Sequence, residues 1–189
     1  INNGVTMMTF FGHAAGIGFD QSIDDINEYN NIGKYPFLLA NSCWAGDIFG
    51  AYPTTSEQFV LIRDKGMIGF LASITSASSA PLNIYSTEIY KNISYANYGN
   101  SIGDIISNSV KTMEDNPVYV ANKNMMDLTL LMTLHGDPVL KINSHELPDF
   151  VVNAQSVFFT TPEITTELDT FTANIILTNI GKAESGSYT

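Results

Sequence analysis

The sequence predicts an α/β fold, in which helices flank both faces of a mostly parallel sheet, followed by part of a β-sandwich. Through most of the chain, short apolar runs typical of buried strands alternate with segments of helical spacing. The pattern changes at Pro148, after which apolar and polar residues alternate. We therefore predict one domain over residues 1–147 and the beginning of a second over residues 148–189.

Composition excludes several classes of protein. The chain has 189 residues, enough for one well-buried domain and part of another. A net charge of −11 with only 8 Lys and Arg residues argues against nucleic-acid binding. No apolar run reaches the ~18 residues that a membrane span needs. The chain opens at Ile1 with neither an initiating Met nor a signal peptide, so we expect it to be a piece of a longer protein.

The first predicted strand, Val5 to Phe11, runs directly into Gly12-His13. The interval 18–35 contains a capping-box-like start at Ser22 followed by apolar residues at helical spacing, which predicts a crossover helix. A strand, a helix and a strand in this order form a right-handed unit with parallel strands. The next strand should therefore be a parallel neighbour of the first.

That second strand, Phe37 to Ala40, is a continuous apolar run that breaks at Asn41-Ser42 into Cys43, the only cysteine of the chain. The carboxyl ends of parallel strands are where ligands and catalytic groups collect. His13 and Cys43 should emerge together at this edge, as an imidazole base and a thiol nucleophile. The alternative is a structural cysteine, since a lone cysteine in an apolar strand is often simply buried.

The remaining elements follow in order. A capping box at Thr54 opens a helix that ends at Gly66, and Met67 to Ala72 is the third strand, which ends in small polar residues. Three more helices and a short last strand are predicted over residues 82–99, 101–116, 119–134 and 139–142.

After Pro148, residues 149–159 and 171–180 alternate as strands do, and the segment between them is turn-like around Pro162. These segments look like the first strands of an immunoglobulin-like sandwich. About 40 residues cannot complete such a domain of ~100 residues.

Four segments in this order resemble the gingipain-type cysteine peptidases, peptidase family C25 of the caspase-like clan. They are Phe10-Phe11-Gly12-His13, Asn41-Ser42-Cys43-Trp44-Ala45-Gly46-Asp47, residues 65–73 and residues 134–140. The resemblance covers roughly the first 145 residues and implies a caspase-like sheet. The order of the segments makes it specific, because a lone Gly-His or a lone Cys would be a weak signal.

The resemblance also implies roles for individual residues. Cys43 would be the nucleophile and His13 its base and later its acid, while the backbone N–H groups of Cys43 and Ala14 would form the oxyanion hole. The family usually has glycine where this chain has Ala14. The loop after the third strand would wall the substrate pocket, and it bears no charge that suits an Arg or Lys side chain: Ser73, Ile74, Thr75 and Ser76.

In the family an acidic residue upstream of the Gly-His strand often orients the histidine. This chain begins only twelve residues before His13, so we expect that acid outside it; Asp20, Asp24 and Asp47 are near the edge but at other places. His135 is interpreted as a turn or C-cap residue and His145 as a surface residue of the linker. No metal is expected in the site and no cofactor is required, although family members can carry structural calcium and no spaced calcium-binding loop is present.

The resemblance implies a cysteine endopeptidase that acts through a Cys-His dyad and an acyl-enzyme intermediate on protein or peptide substrates. One alternative is a sortase-like transpeptidase of the type IX secretion system, and another is a catalytically silent surface adhesin or scaffold on the same fold. The resemblance further implies a protein of Bacteroidetes-type bacteria that is secreted or held at the cell surface in association with the outer membrane, with type IX secretion components as further partners.

Overall fold

The computed structural model describes residues 1–21, 25–50, 53–143, 145–160 and 163–183. The chain divides into two compact units, Ile1–Asn143 and Ser144–Thr189. Among the described residues, no helix combines the length and the apolar character that a membrane span requires.

The described part of the first unit contains short strands and five α-helices. The strands are β1 (Met7–Phe11), β2 (Ala14–Ala15), β3 (Gly18–Phe19), β4 (Phe37–Asn41), β5 (Gly69–Ser73) and β6 (Met132–Gly136). The helices are α1 (Thr55–Leu61), α2 (Ser79–Lys91), α3 (Ile102–Glu114), α4 (Pro117–Val120) and α5 (Lys123–Leu131).

The main sheet has the strand order β1-β4-β5-β6. β1 and β4 are parallel, as are β4 and β5, which confirms the predicted parallel core of the sheet. β6 runs antiparallel to β5, with His135 opposite Phe70. The sheet is therefore mixed at one edge.

β6 corrects two predictions. The predicted helix over 119–134 is replaced by α4 and α5, and its last residues belong to β6. The predicted last strand, 139–142, forms none; the carbonyls of Pro138 and Leu140 instead accept hydrogen bonds from the N–H groups of Gly103 and Ile102 at the start of α3. The Met- and Leu-rich pattern fits a helix and a buried strand equally well, and pairing with β5 decides between them.

The crossover between β1 and β4 also differs from the prediction. Of the described residues 25–35, only Ile26–Glu28 is helical, as a 3₁₀ turn capped by the Asp25 carboxylate. The predicted helix start at Ser22 lies outside the described residues. Four residues of this segment are Asn or Gly, types that stabilise turns more than helices, which explains the short turn: Asn27, Asn30, Asn31 and Gly33.

Successive residues of the central strands face opposite sides of the sheet. Phe37 and Leu39 of β4 pack in one apolar cluster with Tyr85 of α2, whereas Leu38 and Ala40 pack in a second cluster with Phe59 of α1. Helices thus cover both faces, as predicted. Because β4 and β5 are buried throughout, they form a rigid base for the segments that follow them.

The helix termini explain where the connections turn. Thr54 caps α1 in a capping box with Glu57, as predicted, although α1 ends at Leu61. Gly66 has a φ of +92°, and a Cβ there would lie 2.2 Å from the Phe59 carbonyl oxygen, so only glycine fits this turn. The predicted helix over 82–99 is α2 followed by a π-helical turn, Asn92–Ala96, and Ser101 caps α3 as predicted.

The second unit consists of short strands in its described part. They are β7 (Phe150–Val151), β8 (Val157–Phe159), β9 (Ala173–Ile175) and β10 (Thr178–Asn179). β7 pairs with β10 and β8 pairs with β9, both antiparallel. The immunoglobulin-like identity of this unit stays a prediction, and Pro162 lies outside the described residues.

Candidate active site

His13 and Cys43 lie at the same edge of the main sheet. Phe11 and Asn41 are register partners at the ends of β1 and β4, and the Gly12 N–H donates to the Asn41 carbonyl at 3.3 Å. His13 and Cys43 each follow this pair by two residues. The structure therefore has both residues that the sequence singles out follow neighbouring strands at this edge.

His13 stands at the entrance of the β2–β3 hairpin, and its side chain is exposed. Its carbonyl accepts a hydrogen bond from the Asp20 N–H at 3.1 Å, and Ala14 is paired with Phe19 one step further on. Hydrogen-bonded and non-hydrogen-bonded pairs alternate in an antiparallel ladder. The Ala14 N–H is consequently directed away from β3.

Cys43 is a free, half-buried cysteine that follows the buried side chains of Asn41 and Ser42. Its Sγ accepts a hydrogen bond from the Ala77 N–H at 3.4 Å, and its thiol donates one to the Ala77 carbonyl oxygen at 3.6 Å. Trp44 follows with a φ of +59°, a conformation that a bulky side chain rarely adopts. Such backbone strain is typical of functional turns.

Residues 43–47, the Cys43 loop, are anchored by backbone hydrogen bonds. The N–H groups of Trp44 and Gly46 donate to the carbonyls of Thr75 and Ser73, at 3.1 and 3.0 Å. The Ala45 carbonyl accepts from the Ser56 N–H at 3.1 Å. A Cβ on Gly46 would lie 2.7 Å from the Ala72 carbonyl oxygen, so glycine is required where this loop touches β5.

The predicted pocket loop lies directly beside the Cys43 loop. The buried Ser73 hydroxyl donates to the Thr75 carbonyl at 3.0 Å and accepts from the Thr75 N–H at 3.3 Å. The Ile74 N–H donates to the Leu131 carbonyl, while Ser76 is exposed. These bonds fix an uncharged wall next to the thiol.

The acidic residues near this edge serve other purposes. Asp20 meets His13 through its backbone N–H, and the Asp47 carboxylate accepts a hydrogen bond from the Phe49 N–H at 3.1 Å. Asp24 lies outside the described residues. Within the described ranges, no carboxylate contacts the His13 ring by a hydrogen bond or ion pair, and no group of three His, Cys, Asp or Glu side chains could hold a metal ion.

His135 is the residue near the site that sequence reasoning missed. It was predicted in a turn but lies in β6, on the face that also carries Phe70. Its Nε2 is buried and has no hydrogen-bond partner of normal geometry among the described residues. Burial lowers the pKa of His135, while the Glu57 carboxylate and the Gly46 backbone act in the opposite direction. The sequence signal that could have identified this strand is the alternation of Met132, Leu134 and Gly136 with polar residues.

The other histidine, His145, lies in the second unit. It is partly exposed, and its Nε2 is 3.9 Å from the Asp149 carboxylate. This position agrees with a surface residue.

Three solved structures have a fold similar to that of this chain. Gingipain R, an Arg-specific cysteine proteinase, is 19% identical, with a TM-score of 0.64 over 81% of this chain and 37% of its own. The complex of the Porphyromonas gingivalis RgpB pro- and mature domains is 18% identical, with a TM-score of 0.66 over 81% of this chain and 38% of its own. A further protease structure is 12% identical, with a TM-score of 0.66 over 84% of this chain and 41% of its own.

The chain therefore spans less than half the length of the solved structures that it matches. No curated protein matches the sequence. The model of peptidase family C25 matches residues 1–143, which is the whole first unit. This chain belongs to peptidase family C25.

Proposed function

We propose that the parent protein is a cysteine endopeptidase in which Cys43 is the nucleophile and His13 the general base and acid. The observation that supports the proposal is the register pair Phe11–Asn41 on two parallel strands, because His13 and Cys43 each follow this pair by two residues. Membership of a peptidase family supports the same reading.

The chemistry needs two half-reactions. His13 takes the thiol proton, the Cys43 sulfur attacks the peptide carbonyl, and collapse of the tetrahedral species expels the amine, which receives the proton from His13. Water, activated by His13, then attacks the thioester and releases the acid together with free Cys43.

The oxyanion of the tetrahedral species needs two N–H donors. Within the part of the chain that the structure describes, the Cys43 N–H has no acceptor, whereas the next N–H, of Trp44, donates to Thr75. The Ala14 N–H points away from its hairpin partner. We propose that both N–H groups bind the substrate oxygen, and that the methyl group of Ala14 narrows the approach of the substrate compared with glycine.

The pocket loop supports a preference that differs from that of gingipain R. A pocket for Arg needs a carboxylate, and residues 73–76 supply only hydroxyl and aliphatic groups. The half-exposed Trp44 indole stands beside Cys43. We propose that this wall accepts small or apolar substrate side chains.

The proposal extends to the setting of the enzyme. We infer secretion, or display at the outer membrane, as the resemblance to gingipains implies, with protein or peptide substrates and type IX secretion components as partners. No cofactor is required for the thiol chemistry, because both half-reactions use only His13 and Cys43.

The test is hydrolysis of a fluorescently labelled unfolded protein by the complete parent protein under reducing conditions. Cys43→Ala and His13→Ala should each abolish the activity, whereas His145→Ala, the matched histidine control, should leave it unchanged. Mass spectrometry of the products with added glycine separates free acids from amides, and so separates hydrolysis from transpeptidation. An inactive wild type with intact substrate would favour the silent scaffold.

A further inference from the structure

The sulfur of Cys43 is held by the backbone of one residue, Ala77, which directly follows the pocket loop. The Ala77 N–H donates to Sγ at 3.4 Å, and the thiol donates to the Ala77 carbonyl oxygen at 3.6 Å. Among the described residues, these two are the hydrogen bonds of the sulfur. The position of the thiol in this structure is therefore set by Ala77 and not by a hydrogen bond to His13.

The pocket loop and the residue after it contact the Cys43 loop at every second position. The carbonyls of Ser73 and Thr75 accept hydrogen bonds from N–H groups of the Cys43 loop, at 3.0 and 3.1 Å. Ala77 is the next residue of this series, and there the Cys43 side chain takes the part of a backbone group. The sulfur is thus the last of three links that join the nucleophile's loop to the wall of the pocket.

Ala77 is itself fixed on both sides along the chain. Its methyl group packs against the apolar cluster that α2 shares with the sheet. Before it, the Ile74 N–H donates to the Leu131 carbonyl at 3.0 Å, and after it, the Leu82 N–H donates to the Ser78 carbonyl at 3.2 Å in the first turn of α2. A residue with anchored neighbours can hold the side chain that it binds in one rotamer.

We propose that Ala77 is a positioning residue, whose backbone holds the Cys43 sulfur in place for attack on the substrate carbonyl. The assignment rests on the proposed function, because the position of the sulfur matters to a reaction only if Cys43 is the nucleophile. Misplacement of a reacting group by about 1 Å can cost about 100-fold in rate. Ala77 acts through its main chain, so its N–H should matter to catalysis while its side chain can vary.

The kinetic experiment compares wild type, Ala77→Pro, Ala77→Ser and Ser79→Pro in the complete parent protein. Ala77→Pro removes the N–H that donates to the sulfur, because proline has none. Its kcat should fall about 10-fold with KM within about 2-fold, since the sulfur loses one of its two bonds while the pocket loop keeps its side chains. Ala77→Ser retains the N–H and the carbonyl, and its kcat should stay within about 2-fold of wild type.

Ser79→Pro is the matched control for the effect of a proline. Ser79 is the exposed first residue of α2, a position that proline favours, and Ser78 before it has the extended backbone that proline requires, with a φ of −83° and a ψ of 147°. The Ser79 N–H donates no hydrogen bond among the described residues. The kcat of Ser79→Pro should therefore equal that of wild type.

Hydrogen exchange of the Ala77 amide supplies a readout that needs no activity. This amide should exchange faster in Cys43→Ala, which lacks the sulfur acceptor, than in wild type. Cys43→Ser keeps an acceptor in the form of a hydroxyl and should recover part of the protection. The Trp44 amide, which donates to the Thr75 carbonyl, is the internal reference and should exchange equally in all three proteins.

The outcomes separate the two proposals. An inactive wild type whose Ala77 amide loses protection in Cys43→Ala would overturn the proposed function and keep the bonds between Ala77 and the sulfur. In an active wild type, unchanged kcat in Ala77→Pro would overturn the positioning role and leave the proposed function standing. Equal exchange of the Ala77 amide in wild type and Cys43→Ala would do the same. Equal losses of kcat in Ala77→Pro and Ser79→Pro would show a general effect of proline and would also overturn the positioning role.

Discussion

Phe11 and Asn41 are register partners at the ends of the parallel strands β1 and β4. Neighbouring strands are about 4.8 Å apart, and one residue advances the chain by about 3.3 Å. His13 and Cys43 each lie two residues beyond this pair, so both leave neighbouring strands at the same edge of the sheet. This single pairing determines whether a general base can reach the thiol.

Gly46→Ala tests the anchoring of the Cys43 loop. The new methyl group would lie 2.7 Å from the Ala72 carbonyl oxygen, a backbone atom that cannot move without disturbing β5. We expect a loss of about 1–3 kcal/mol in the free energy of unfolding and a larger than 10-fold loss of kcat. Chemical denaturation and steady-state kinetics measure the two effects. Gly18→Ala is the matched control, since nothing lies within 4 Å of its added Cβ; equal behaviour of the two variants would contradict the account.

Asn31→Ala tests the turn that leads into β5. The buried Asn31 amide donates to the carbonyls of Gly66 and Lys34, at 2.8 and 3.1 Å, and its oxygen accepts from the Gly66 N–H at 3.0 Å. Truncation leaves the Gly66 backbone unpaired, so we expect at least about 2 kcal/mol of destabilisation. Asn30→Ala, at the exposed neighbouring position, should cost less than about 0.5 kcal/mol. Comparable losses of unfolding free energy in Asn31→Ala and Asn30→Ala would contradict the role given to the buried Asn31 amide.

His135 predicts a pH dependence of stability. Partial burial of the ring lowers the pKa of His135 in the folded state below its ordinary value of 6.5, so the unfolded chain takes up the proton first as the pH falls. The contribution of neutral His135 to the free energy of unfolding is fully present above about pH 6.5 and is lost progressively as the pH falls below this value. Between pH 7.5 and 5.5 the melting temperature of wild type should fall further than that of His135→Leu. An equal fall in the melting temperatures of wild type and His135→Leu over this pH range would contradict the prediction.

The sequence predicts the parallel core and the positions of His13 and Cys43 because both depend on local patterns. Continuous apolar runs identify buried strands, and the residues that follow them are at the sheet edge by the handedness of the crossover. The capping box at Thr54 and the N-cap at Ser101 likewise show in the sequence, and the helices start there.

What the sequence does not predict depends on tertiary contacts. Met132 to Leu134 suit a helix by composition, and only pairing with β5 makes them a strand. His135 lies opposite Phe70, 65 positions away in the sequence, only because β6 pairs with β5. No local pattern encodes such a meeting.

The central claim is that His13 activates Cys43, and alkylation of the thiol measures this most directly. The rate constant for iodoacetamide at pH 6.5 is determined for the complete parent protein, for its His13→Ala variant and for the unfolded wild type. The account predicts that the folded wild type reacts at least about 10-fold faster than the unfolded chain, and that His13→Ala loses this advantage. Equal rates in the wild type and His13→Ala would contradict it and leave Cys43 as a structural cysteine.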